Sequence, residues 1–140
     1  MTDTPTGERA DDDLTCGTDI VAVERIRDLV ERFGDAFLER TFTRREVSYC
    51  RSRAAPSQHL AARWAAKEAA VKALPGDHLV HGEVEVICDG PEPRLVLHGR
   101  AGALAGDAET ALSISHDATL GVATAQVVVR DPRRDGVNDP

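Results

Sequence analysis

Ala61-Ala62-Arg63-Trp64-Ala65-Ala66-Lys67-Glu68-Ala69-Ala70-Val71-Lys72-Ala73-Leu74 is a continuous run of good helix formers. Pro56-Ser57 precede it, and Pro75-Gly76 end it. The run therefore predicts one long Ala-rich helix from about Ser57 to Leu74, with everything else in the chain arranged around it. Successive residues turn by about 100°. With Glu68 at the centre of a face, Ala61, Trp64, Ala65, Val71 and Lys72 fall in the same sector. Glu68 thus sits in an apolar sector that holds the single Trp. A buried carboxylate there calls for a cation or a metal. The plainer reading is a Glu68–Lys72 pair four residues apart on a solvated face.

Upstream, Leu14 to Val23 reads as a short strand running into a helix. Ile26, Leu29, Val30, Phe33 and Phe37 keep helical spacing, with Gly34 as a break. Thr43-Arg44-Arg45-Glu46 has the form of a capping box and predicts a helix to about Arg51. Downstream, Glu83 to Cys88 alternates, Asp89-Gly90-Pro91 turns, and Arg94 to His98 returns. Residues 100–108 allow a short helix. Ala111 to Ser115 and Leu120 to Val129 predict a second hairpin around His116-Asp117-Ala118-Thr119. Helices early and antiparallel strands late define an α+β domain over residues 14–129. Residues 1–13 and 130–140 are polar, lack apolar periodicity and are expected to be disordered tails.

At 140 residues the chain suits one domain, and 41% hydrophobic content is that of a soluble globular protein. No stretch reaches 18 apolar residues, which excludes a helical membrane span. The N-terminal residues lack an apolar signal core, so the expected location is the cytoplasm. Three widely spaced cysteines, Cys16, Cys50 and Cys88, argue against a disulfide framework or a Cys-based zinc site. The net charge is −7, yet residues 40–72 carry eight bases and two acids, giving +6. Such a segment attracts phosphates or an acidic protein. Nucleic acid does not suit an acidic chain without interleaved aromatics.

Two further residues stand out. Asp19 lies in Cys16-Gly17-Thr18-Asp19-Ile20-Val21 at the end of the first strand, where Asp either ends a strand, caps a helix, or serves as a metal ligand. Gly17 beside it would let a ligand approach the backbone. Two carboxylates with phosphate oxygens and water make a hard-oxygen shell for Mg²⁺. His116, in Ser113-Ile114-Ser115-His116-Asp117, is either a solvated turn residue or a phosphate contact.

Four segments together resemble the holo-acyl-carrier-protein synthase family of small 4′-phosphopantetheinyl transferases: Gly17-Thr18-Asp19-Ile20-Val21 with Glu24-Arg25-Ile26, Phe42-Thr43-Arg44-Arg45-Glu46 with Tyr49-Cys50, Ala61 to Leu74, and Ser113 to Asp117 with Ala123 to Val129. The resemblance spans about residues 14–129, with the four in order. It implies a homotrimer, with helices packed on an antiparallel sheet and active sites at subunit interfaces. It implies Mg²⁺ held at Asp19 and Glu68, coenzyme A contacts from Lys72, His116 and Arg63, and docking of an acidic acyl carrier protein by Arg25. Lys72 would offset phosphate charge, and Glu68 or a water it orients would take the serine proton. The His116 of one subunit would reach phosphates bound mainly by its neighbour. The client carrier could serve fatty-acid synthesis or a polyketide or peptide pathway. A protein that only docks carriers would need Arg25 but not the two carboxylates. Three features depart from the family pattern: Trp64 replaces a usual Phe, Leu74-Pro75-Gly76-Asp77 replaces a Gly-x-Gly loop, and an acidic extension precedes the first strand.

Overall fold

The computed structural model describes residues 13–133. In chain order the elements are β1 (Leu14–Ala22), α1 (Val23–Phe33), α2 (Asp35–Thr41), α3 (Arg44–Arg51), α4 (Pro56–Ala73), a 3-10 turn (His81–Glu83), β2 (Val84–Ile87), β3 (Arg94–Leu97), α5 (Gly99–Ala105), β4 (Glu109–Asp117) and β5 (Val122–Arg130). The fold is α+β, as the pattern predicts. Three strands form an antiparallel sheet in the order β1-β5-β4, and β2 pairs with β3 in a separate ribbon. Strand β5 lies between the chain's first strand and its own hairpin partner. Its register sets Ala125 opposite both Asp19 and Ile114.

Helix α4 crosses the sheet over β1 and β5. Small side chains make that approach possible: Ala61, Ala65, Ala66, Ala69 and Ala70 on the helix, and Ala123 and Ala125 on β5, are buried. At Gly17 the two layers approach too closely to admit a side chain. A Cβ there would lie 2.0 Å from the carbonyl oxygen of Ala69. The glycine therefore admits α4's own backbone rather than a ligand. The Thr15 hydroxyl donates to the Ala73 carbonyl at 2.6 Å and ties the end of the helix to the same strand.

Local signals set the boundaries. Gly34, at φ 53°, separates α1 from α2. The Thr43 hydroxyl accepts from the Glu46 amide, and the Glu46 carboxylate accepts from the Thr43 amide, completing the box that opens α3. After α4, Gly76 takes φ 108°.

Two expectations shift. The C-terminal boundary placed at 129 moves outward: Arg130 belongs to β5, and Asp131 is buried with its amide bonded to the Asp13 carbonyl at 2.8 Å. Arg133 then donates to the carbonyls of Leu104 and Ala105, which closes the end of α5. Asp13 is thus also part of the fold, while the tail expectations for residues 1–12 and 134–140 lie outside the described residues. The second shift concerns α4, which is buried nearly all round. Its least covered stripe is Trp64, Glu68, Val71 and Lys72, the sector that reads as most apolar. Glu68 keeps 31% of its side chain exposed.

Candidate active site

Asp19 and Lys72 meet across the β1–α4 contact that Gly17 permits. Lys72 Nζ donates to the Thr18 carbonyl at 2.8 Å and lies 3.4 Å from Asp19 Oδ1. Those two contacts use two of the three ammonium hydrogens, and the side chain is half exposed. Lys72 therefore reaches across to the strand rather than lying along its own helix toward Glu68. One turn earlier, Glu68 Oε1 lies 3.0 Å from His81 Nε2. The His81 ring stands 4.9 Å from Trp64, centroid to centroid, and the Arg25 guanidinium lies 5.9 Å from the same indole. Asp19, Glu68, Lys72 and Arg25 thus belong to the neighbourhood of one open stripe of α4.

His116 and Arg63 lie elsewhere. His116 is in strand β4, paired with Ala123, rather than in the turn that the sequence suggests. Its ring is 6.1 Å from His59, in the first turn of α4. His59 and Lys72 are separated along the helix axis by about 20 Å at 1.5 Å per residue. The Arg63 side chain is buried, with its guanidinium 4.3 Å from the Tyr49 ring and Nη1 directed at the His59 carbonyl. It lines a hollow of about 220 Å³ together with Arg45, Tyr49, Cys88 and Asp89. Its Nε has no hydrogen-bond partner among the described residues. Burial, together with the charges of Arg63, His116 and Arg53, pushes the His59 pKa below its ordinary value.

The basic segment is smaller at the surface than in the sequence. Lys67 and Arg63 are buried, and Arg51 pairs with Asp35 at 3.5 Å. Lys67 is the residue the sequence reading passed over. Its Nζ donates to Glu46 Oε1 at 2.7 Å, to the Val84 carbonyl at 2.6 Å and to the His81 carbonyl at 2.9 Å. Glu46 Oε2 accepts from the Val86 amide at 3.0 Å. Burial lowers the Lys67 pKa, and the adjoining Glu46 opposes that shift. This knot joins α3, α4, the 3-10 turn and β2 directly behind Glu68. The available signal was a lysine inside an alanine-rich run, where Ala65, Ala66, Ala69 and Ala70 all pack inward.

Asp19 and Glu68 are hard-oxygen donors on adjoining elements, each with one oxygen engaged by a neighbouring nitrogen. Among the described residues no cluster of three or more His, Cys, Asp or Glu is arranged to hold a metal. A pair of carboxylates suits Mg²⁺, which commonly completes its shell with water and substrate phosphates. No helix among the described residues is long and apolar enough to cross a membrane.

The class follows from comparison with known proteins. The sequence pattern of the 4′-phosphopantetheinyl transferase superfamily matches residues 15–119. The holo-[acyl-carrier-protein] synthase of Aquifex aeolicus is 39% identical over 79% of this chain and 95% of its own length. That of Koribacter versatilis is 42% identical over 84% and 98%. Among solved structures, the ACPS–CoA complex from Chronobacterium ammoniagenes superposes with a TM-score of 0.74 at 35% identity, covering 86% of this chain and 98% of that one. The Helicobacter pylori holo-[acyl-carrier-protein] synthase in complex with coenzyme A gives 0.69 at 34%, covering 82% and 99%. The chain belongs to the holo-[acyl-carrier-protein] synthase family of phosphopantetheinyl transferase enzymes.

Proposed function

We propose that this enzyme transfers the 4′-phosphopantetheine arm of coenzyme A to a serine hydroxyl of an acidic acyl carrier protein, in a Mg²⁺-dependent reaction. The observation that carries the reading is the corner where Lys72 meets Asp19, one helical turn from Glu68. A phosphoryl transfer asks for positioning and charge stabilisation rather than covalent chemistry. The serine oxygen forms a bond to the β-phosphorus, and the bond from that phosphorus to the bridging oxygen breaks. Adenosine 3′,5′-bisphosphate leaves with the bonding pair. Asp19 and Glu68 would hold the Mg²⁺, which when bound supplies charge neutralisation of the pyrophosphate. Lys72 has one ammonium hydrogen to offer a phosphate oxygen beyond its contacts with Thr18 and Asp19. Glu68, about a third exposed, accepts the serine proton directly or through water. Arg25, beside Trp64 on the same open side, docks the carrier.

A homotrimer completes the site. Within one chain His116 lies near the start of α4, whereas Lys72 is in the last turn. A phosphate held at Lys72 meets His116 most simply when that histidine comes from a neighbouring subunit. The outer sheet face suits such assembly, since Cys16, Thr18, Ile20, Ser113, Ser115 and Gln126 are exposed and uncharged. Arg63 and Arg45 would meet the nucleotide end of coenzyme A at the hollow they line.

The test is direct. Several apo-carriers are incubated with coenzyme A, Mg²⁺ and the protein, then weighed by mass spectrometry. A gain of one phosphopantetheine per carrier is expected, and the carrier modified fastest identifies the pathway served. Asp19→Ala and Glu68→Ala should each nearly abolish the gain without loss of fold, and chelation should do the same to the unaltered protein. Undiminished turnover in EDTA would remove the metal from the reading.

A further inference from the structure

His81 contacts the catalytic stripe without belonging to any of the motifs that define it. Its placement is fixed at three points. The backbone carbonyl accepts from Lys67 Nζ at 2.9 Å. The ring packs at 4.9 Å from Trp64. Nε2 lies 3.0 Å from Glu68 Oε1. The anchor at the backbone is itself buried and bonded, since the Lys67 side chain has no exposure and is held by Glu46 and Val84. The histidine thus stands at the end of a buried, fully bonded chain, and its ring faces a carboxylate on the open side of α4 that has no other hydrogen-bond partner among the described residues.

A partly exposed glutamate has several rotamers, and a metal ligand that must be ordered on binding loses affinity. A hydrogen bond to one carboxylate oxygen selects a rotamer and leaves the other oxygen for the cation. Partners of this kind orient ligands at metal sites, and their removal typically costs about 10- to 100-fold in metal affinity or activity. We propose that His81 is a positioning residue for Glu68: it donates Nε2–H to Oε1 and thereby presents Oε2 to the divalent cation. The inference rests on the reading of Glu68 as a Mg²⁺ ligand. The Lys67–Glu46 pair then acts on the site through the His81 carbonyl, which links the buried core to the geometry of the reacting centre.

The experiment compares His81→Gln, which keeps an N–H donor of similar reach, with His81→Phe, which keeps a ring against Trp64 but has no donor. His81→Leu is made in parallel, so that a misfit of the phenyl ring does not decide the outcome. Free Mn²⁺ is measured by electron paramagnetic resonance during titration of each protein saturated with coenzyme A. Thermal melts confirm that each variant is folded. His81→Phe and His81→Leu are expected to weaken Mn²⁺ binding about tenfold or more. The Mg²⁺ concentration for half-maximal turnover should rise in proportion, and His81→Gln should restore most of both. Wild-type Mn²⁺ binding in the Phe and Leu variants overturns the proposal, as does a Gln variant no better than they are. Glu68→Gln separates the two readings. If it binds Mn²⁺ like the unaltered protein, the metal assignment itself falls. If it loses Mn²⁺ while His81→Phe does not, only the positioning role falls.

Discussion

The Lys67 ammonium and the Glu46 carboxylate meet at 2.7 Å with neither side chain reaching solvent. Lys67 gives its remaining hydrogens to two carbonyls, and Glu46 receives two backbone amides. Removing one partner would leave the other as an uncompensated buried charge, which is expected to cost about 3–5 kcal/mol. Lys67→Met should therefore lower the midpoint of urea unfolding sharply. Lys67→Met combined with Glu46→Gln should recover part of the loss, because the amide oxygen still accepts while the charge is gone. Equal stability of the single and double variants would show that packing of the lysine stem, not charge, sets the cost.

Gly17→Ala is expected to be damaging out of proportion to its size. The added methyl would lie 2.0 Å from the Ala69 carbonyl oxygen and 3.1 Å from Lys72 Cβ. Backbone cannot yield there without moving α4 off β1. Overpacking of this kind typically costs about 1–3 kcal/mol, occasionally more. The same displacement would part Lys72 from Asp19. Turnover should fall further than the melting temperature implies, as read by assaying the variant well below its transition.

The local parts of this molecule were legible from sequence because local groups decide them. Thr43 and Glu46 are three residues apart and cap α3 as read; β5 returns on β4 as read; Pro56 opens α4. What escaped depends on partners far along the chain. Lys67 is buried because Glu46 and Val84 wait for it, 21 and 17 positions away. The apolar sector around Glu68 is the open face because α4 is covered on its other sides by the sheet and by α1 and α3, which no helical wheel can show. His81 lies in a 3-10 turn with no pattern of its own.

His59 should give the fold a measurable pH dependence. Burial and the neighbouring Arg63, His116 and Arg53 lower its folded pKa from 6.5. Between the lowered value and 6.5 the unfolded chain binds more protons, so stability falls as pH drops through that window. His59→Phe preserves the edge contact with Tyr49 and removes the proton site. Denaturation at pH 7.5 and at progressively lower pH should show a flatter dependence in the variant. An unchanged slope would assign the effect to other groups.

Subunit mixing tests the trimer proposed above. His116→Ala and Glu68→Ala proteins should each be nearly inactive alone. Mixed and reassembled, they should regain activity, because some interfaces would pair an intact Glu68 stripe with an intact His116 from the neighbouring chain. Sedimentation of the active protein as a monomer would refute the shared site.

Arg25 joins the charge of the surface to the chemistry of the site. It is exposed on α1, and its guanidinium lies 5.9 Å from Trp64, the residue one turn before Glu68. An acidic carrier docked there would bring its serine to the open stripe of α4. Contacts of this kind weaken as the Debye length shrinks from about 10 Å at 0.1 M salt to about 3 Å at 1 M. Arg25→Glu should therefore raise the KM for carrier strongly, and that KM should become less dependent on salt than in the unaltered protein. The KM for coenzyme A should change little, since the nucleotide contacts proposed at Arg63 and Arg45 lie elsewhere. Arg40 and Arg44, also exposed, provide the comparison. Reversing one of them should alter carrier KM less than reversing Arg25 if steering is local to the stripe, and by a similar amount if the whole basic surface attracts the carrier. A carrier KM unmoved by Arg25→Glu and indifferent to salt would separate docking from this surface altogether, and a shift confined to the coenzyme A KM would place Arg25 in the nucleotide site.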